Sequence, residues 1–214
     1  MKKIIVSFIL IFIVFNIKAQ NTLIKKQDQV TKLQTKEESP VRQFLYNSTR
    51  TRVNKDWSLM AEFKSGTNEH VQFYPVQAID LVSNMKMEAL QIDMLIKPYQ
   101  VSIVQVAPTI AILRSAWIGL EEIDDFINFI ENFIIPNTKL KYKDKSTEFI
   151  FKSKELTFKF LVDEKRRRLT ISINNYDFTE VNNSYFEFWT EAKVDNIDEL
   201  LPILKAVKNK NLNF

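Results

Sequence analysis

Residues 155–173 read ELTFKFLVDEKRRRLTISI. Leu156, Phe158, Phe160 and Val162 alternate with Glu155, Thr157 and Lys159, and Leu169, Ile171 and Ile173 alternate with Thr170 and Ser172. Successive side chains of a strand point to opposite faces, so an apolar row backed by a polar row specifies a half-buried strand. Asp163-Glu164-Lys165 supplies the turn between the two. The stretch is predicted to be an antiparallel hairpin with one wet face. It sets the fold class, because its apolar face has to be covered by another layer.

The pattern extends both ways. Phe149 and Phe151 begin a strand upstream, and 184–191 supplies one downstream, with Asn174-Asn175 and Asn182-Asn183 as turns between. Tyr185, Glu187 and Trp189 lie opposite Phe186 and Phe188. If the Phe pair enters the core, Tyr185 and Trp189 form an outer stacking platform for sugar rings or a partner protein; the alternative is that both faces are covered. Farther upstream, strands are predicted at 71–74, 77–82, 86–96, 100–106 and 109–118, broken at Pro75, Lys97-Pro98-Tyr99 and Ala107-Pro108. Trp57, Leu59, Ala61 and Phe63 also alternate, and Gly66-Thr67-Asn68 marks a turn.

Two segments change period. Ile123, Phe126, Ile127, Ile130, Phe133 and Ile134 make one apolar stripe of a helix over 121–134, stopped by Pro136. A second helix is expected over 196–208 with Asp195 as N-cap, and Pro202 either kinks it or starts its second part. Ile123-Asp124-Asp125-Phe126-Ile127 resembles Ile197-Asp198-Glu199-Leu200-Leu201 in residue type, which suggests a strands-then-helix unit used twice, in 71–135 and 140–210. The reading is an α+β fold: mainly antiparallel sheet with two principal amphipathic helices, in a single domain over 44–214.

The N-terminus reads differently. Lys2 and Lys3 precede Ile4–Phe15, in which Ser7 alone is not strongly apolar, and Asn16–Ala19 ends on a small residue. That is the three-part form of a secretory signal peptide, and the run is shorter than the roughly 20 residues a spanning helix needs. Cleavage after Ala19 would export the rest to the periplasm or exterior, with 20–43 as a polar leader and no later transmembrane segment. It would remove Lys2, Lys3 and Lys18 and no acid, taking the net charge from +4 to +1. A near-neutral chain gives no electrostatic reason to expect nucleic acid.

Composition narrows the chemistry. The 214 residues include no cysteine, one histidine and two glycines. That excludes disulfides, thiolate metal sites, a cysteine nucleophile and a multi-histidine metal site within one chain, and no phosphate-cradling glycine loop exists. His70 could formally serve a nucleophile at Ser58 or Ser65, yet no Gly-x-Ser-x-Gly elbow is present. Glu121, Glu122, Asp124 and Asp125 sit where a helix N-terminus favours carboxylates and lack the loop that wraps a cation. Lys165-Arg166-Arg167-Arg168 is either a solvated turn or a grip on oxyanions of lipid, lipopolysaccharide or glycan.

The expected function is an exported, non-enzymatic bacterial envelope or secreted protein binding a protein, glycan or anionic lipid, without cofactor or metal. Tyr185, Trp189, Arg166, Arg167 and Arg168 are the candidate ligand contacts. Two alternatives are a cofactor-independent hydrolase, whose Asp/Glu residues would converge in one pocket with a raised pKa, and a structural or assembly role. N-terminal sequencing of the protein recovered after export should begin at Gln20. A start at Met1 would remove the cleavage reading.

Overall fold

The computed structural model describes residues 38–66, 68–97, 111–173, 187–192, 194–212 and 214. The expected signal segment, the expected leader to residue 37, the predicted strand 100–106, the predicted turns at 174–175 and 182–183, and Tyr185 and Phe186 lie outside the described residues. The hairpin read from the sequence forms as β7 (Leu156–Val162) and β8 (Arg167–Ile173). It is flanked by β6 (Thr147–Lys152) and β9 (Glu187–Thr190) in an antiparallel meander, β6-β7-β8-β9.

A second antiparallel sheet precedes it. Its strands are β1 (Thr51–Lys55), β2 (Ala61–Lys64), β3 (His70–Asp80), β4 (Lys86–Ile96) and β5 (Ile112–Gly119), in the order β1-β3-β4-β5 with β2 also on β3. Pro75 does not break β3, contrary to the sequence expectation. β2 pairs with residues 70–73 of β3 and β1 with 76–80, so Pro75 sits where the outer neighbour changes. The Pro75 carbonyl accepts from the Asp56 N–H on that side. A strand residue's N and O point the same way, so the donor that proline lacks faces the gap between β2 and β1, and pairing with β4 is unaffected.

Among the described residues three α-helices pack with the sheets: α1 (Pro40–Asn47), α2 (Leu120–Phe129) and α3 (Leu200–Lys208). α2 continues through a π-turn at Ile130–Ile134 and a 3₁₀ turn at Ile135–Asn137. Ile123, Phe126, Ile127, Ile130 and Ile134 are buried as the stripe requires, whereas Phe133 is exposed, because the wider π-turn carries it off the stripe. The second helix starts later than expected. 3₁₀ turns occupy Val194–Glu199, and the α-helix begins at Leu200 rather than after Asp195. Pro202 therefore falls in the first turn of α3, where a missing N–H leaves no intrahelical bond unmade. Asn68 and Asn84 take left-handed backbone at turns, φ 63° and 58°, in a chain with little glycine to do so.

Both sheets, α2 and α3 share one apolar core, in which Phe73, Ile92 and Ile118 meet Phe158, Phe160, Ile171 and Phe188. Phe126 of α2 stacks on Phe151 at 4.7 Å and meets Phe158 edge-on at 5.4 Å. Lys205 and Lys208 of α3 pair with Glu131 and Asp124 at 2.7 and 2.6 Å, exposed contacts that fix helix register more than they stabilise. The strands-then-helix order recurs in the two halves. No duplication is confirmed, since β3 takes two partners on one edge while the second sheet is a plain meander.

The opposite face of the first sheet carries a smaller cluster, Tyr74, Val76, Ala89 and Trp117, covered by Val41 and Leu45 of α1. The compact unit starts at Glu38, so 38–43, which the sequence assigns to the leader, belong with the domain. Ser39 caps α1, accepting from the Arg42 N–H at 3.2 Å, and Pro40 opens its first turn. What ties α1 down is Glu155, which is fully buried and not on the wet face to which alternation assigned it. Its Oε1 accepts from the Ser39 N–H at 3.2 Å, the Ser39 hydroxyl and Arg42 Nε at 2.9 Å. Its Oε2 accepts from an Arg42 Nη at 2.6 Å and the Trp117 N–H at 3.1 Å. Burial works against the Arg42 charge, but Glu155 outweighs it and raises the guanidinium pKa.

Glu155→Gln keeps the shape and removes the charge that answers Arg42. Breaking a buried pair from one side costs about 3–5 kcal/mol, and the partial exposure of Arg42 places the expected loss in urea unfolding near 3 kcal/mol. Arg42→Met in the same chain should make the double variant less destabilised than the sum of the singles, because neither charge is then stranded.

Candidate binding surface

Alternation along β6–β9 buries Leu156, Phe158, Phe160, Leu169, Ile171 and Phe188 and turns the intervening residues outward. Strand register aligns Ile150, Lys159, Thr170 and Trp189 as one row across all four strands. At the strand spacing of a sheet this row spans about 14 Å. Its two ends are exposed apolar side chains, Ile150 at 46% and Trp189 at 50%.

Arg168 fastens Trp189 in place. Its guanidinium carbon lies 4.6 Å from the indole centre, and its Nε and an Nη donate to one oxygen of Glu191 at 2.9 and 2.7 Å. Beside them the Ser172 hydroxyl donates to Glu187 at 3.1 Å. A large aromatic held by a cation loses little freedom when a partner covers it, and Trp, Tyr and Arg are enriched among the anchoring residues of protein interfaces.

The remaining candidates are placed differently. Arg166 closes the β7–β8 turn on Asp163, with Nε and Nη2 at 3.0 and 2.9 Å from the carboxylate. Backbone N–H groups of Lys165 and Arg166 also bind Asp163, holding its carboxyl below the usual range. Arg167 begins β8 opposite Val162, and its Nε is buried. The basic run is thus divided: Arg168 joins Trp189, and Arg166 belongs to the turn. Tyr185 lies outside the described residues.

A second exposed tryptophan, which alternation with Leu59, Ala61 and Phe63 assigned to a strand, lies instead in the turn between β1 and β2 and covers the other sheet. Trp57, 56% exposed, packs on Tyr74 at 4.6 Å, with Lys55 Nζ 5.6 Å from its ring centre. Beneath it the Tyr74 hydroxyl donates to Asp93 and accepts from Lys55 at 3.0 Å. Asp93 also accepts from Ser115 and Gln91, at 2.5 and 2.7 Å. Burial, then Asp93, pushes the Tyr74 hydroxyl well above its ordinary pKa. These bonds join Lys55, Tyr74, Asp93, Ser115 and Gln91, with the buried Gln91 Oε1 left without a partner, and Trp57 lies over Tyr74. Ser58 donates to Asp56 and Ser65 to Glu69, so both hydroxyls proposed as partners of His70 are engaged elsewhere.

One acidic cluster meets part of the hydrolase expectation. Glu121 and Glu122, at the start of α2, come together with Glu155 from the β6–β7 turn. Glu122 accepts from the Lys154 N–H at 2.9 Å. Its pKa is raised by burial, and the charges of Glu121 and Glu155 add to this against the Lys154 N–H. Glycosyl transfer to water needs two carboxylates open to substrate. Glu155 is fully buried with both oxygens occupied by donors, so the convergence lacks access.

Among the described residues no group of three or more His, Asp or Glu side chains could hold a metal ion, and no helix is long and apolar enough to cross a membrane. No family model, curated protein or solved structure matches the chain.

Glu122 gives the site a pH signature. Its folded pKa lies above the ordinary value of 4.5, so the folded state binds the proton more tightly than the unfolded chain. That stabilisation is complete below the ordinary value and lost as pH rises through the folded one. Relative to Glu122→Gln, the wild type should gain thermal stability as pH falls from 7 toward 5. A constant difference in melting temperature across that range would show that Glu122 is not perturbed.

Proposed function

We propose that this chain is an exported, non-enzymatic binding protein of the bacterial envelope or exterior, and that it engages a partner protein through the outer face of β6–β9. The observation that carries the reading is Trp189, half-exposed and held by Arg168 on a four-stranded face. Export rests on the N-terminal Lys2–Ala19 pattern. The charges around Trp189 favour a protein over a polyanion. Arg168 is answered by Glu191 and Arg166 by Asp163, which leaves a mixed surface with apolar ends.

A photo-crosslinking residue at Thr170, between Lys159 and Trp189 in the row, should trap a discrete heavier adduct in the producing cell. Trp189→Ala should abolish the adduct while moving the melting temperature little, since an exposed cation–π contact contributes about 0.5–1 kcal/mol. An adduct that survives Trp189→Ala would overturn the assignment of this face. Stabilisation by cell-wall glycans, lost in Trp189→Ala, would replace the protein partner by a glycan.

A further inference from the structure

The β3–β4 hairpin ends in an apolar tip. Leu81, Val82 and Met85 are 51%, 67% and 61% exposed on a turn whose φ-positive residue is Asn84. The neighbouring acid, Asp80, is turned into the loop, where it accepts from the Val82 and Ser83 N–H groups at 2.7 and 3.1 Å. The N–H groups of Ser83 and Val82 hold its carboxyl below the ordinary range, so the tip is capped by its own charge.

Cations stand directly behind the tip. The Arg50 carbonyl accepts from the Leu81 N–H at 2.9 Å, which places Arg50 beside the turn. Arg52 and Lys86 are the register partners of Ile79 from either side, so all three lie in one row across the sheet. Arg50, Arg52 and Lys86 are exposed, and residues 46–55 and 81–87 contain no acid. Arg52, level with Ile79, stands two residues behind Leu81, about 7 Å; Lys86 directly follows Met85 and Arg50 is level with Leu81, and both are long side chains of the kind that reach back to keep a charged head in water.

We propose that this hairpin tip docks on an anionic lipid surface, with Leu81, Val82 and Met85 entering the acyl boundary and Arg50, Arg52 and Lys86 at the phosphate level. The order of chemistry along the hairpin matches the order in a leaflet, where apolar groups enter about 5–10 Å and cations stay with the headgroups. A convex tip of three side chains is too small for a stable protein interface, which needs on the order of 1,000 Å². For a lipid surface, few apolar groups suffice when basic residues accompany them.

The lack of cysteine makes the test site-specific in the full chain. Val82→Cys carrying a polarity-sensitive fluorophore should blue-shift on vesicles of phosphatidylcholine mixed with phosphatidylglycerol, and not on phosphatidylcholine alone. The same label at Ser172→Cys, on the far sheet, should stay unshifted. Replacing Arg50, Arg52 and Lys86 by Ser should weaken the Val82 response at least tenfold, with the melting temperature unchanged. No shift at Val82 on the anionic vesicles would overturn the proposal, even if the chain sediments with them. An equal shift on phosphatidylcholine, or a response indifferent to the three cations, would also overturn it.

Discussion

A carboxylate with no access to water has to be saturated by the protein, and Glu155 imposes that condition on two distant parts of the chain. Its donors come from Ser39 and Arg42 at the start of α1 and from the backbone of β5. Arg42 reaches on to the Ser115 carbonyl at 3.1 Å, so one guanidinium joins the β6–β7 turn to the last strand of the other sheet. The net gain from such a group is modest, because desolvating two charges offsets most of their attraction. Its effect is on uniqueness. Any arrangement that moves α1 or shifts β5 by one residue leaves a buried charge without its donors.

With α1 fastened, the layers sort by solvent. The two sheets turn their apolar faces, with α2 and α3, toward one core; the outer face of the second sheet is polar, whereas that of the first is partly apolar and covered by α1. Both outer faces carry a tryptophan that ought by size to be buried, and in both a cation holds it: Lys55 at Trp57 and Arg168 at Trp189. Trp57 lies over a polar network around Tyr74 and Asp93. Trp189 has open neighbours along its row, and that difference makes the second sheet the better recognition surface.

Where one face is wet and the other dry, the sequence was easy to read. β4 was legible over its full length and the buried row of β7 at each of its four positions, because period-2 alternation is set by the local chain. Errors arose where distant residues decided. Glu155 obeys the alternation of a wet face, and nothing within 100 residues of it announces Arg42, which lies 113 positions away. Pro75 reads as a stop unless one knows that β2 and β1 exchange places beside it. The loss of Phe133 from the apolar stripe follows from a π-turn that has no sequence signature. Of the candidate contacts, the grouping of Trp189 with Arg168 and Glu191 depends on β8–β9 register and was not visible beforehand.

Pro75 has one more consequence. Long edge strands invite other chains to pair with them, since they present an unbroken row of donors and acceptors. β3 is eleven residues long, but its outer side is closed by separate strands of five and four residues with a proline at the seam. The rim that remains is two short, offset ladders carrying Arg52, Lys55, Glu62 and Lys64. Each is too brief and too charged to template a growing sheet, so the split edge guards a chain rich in Phe and Ile against amyloid-like association.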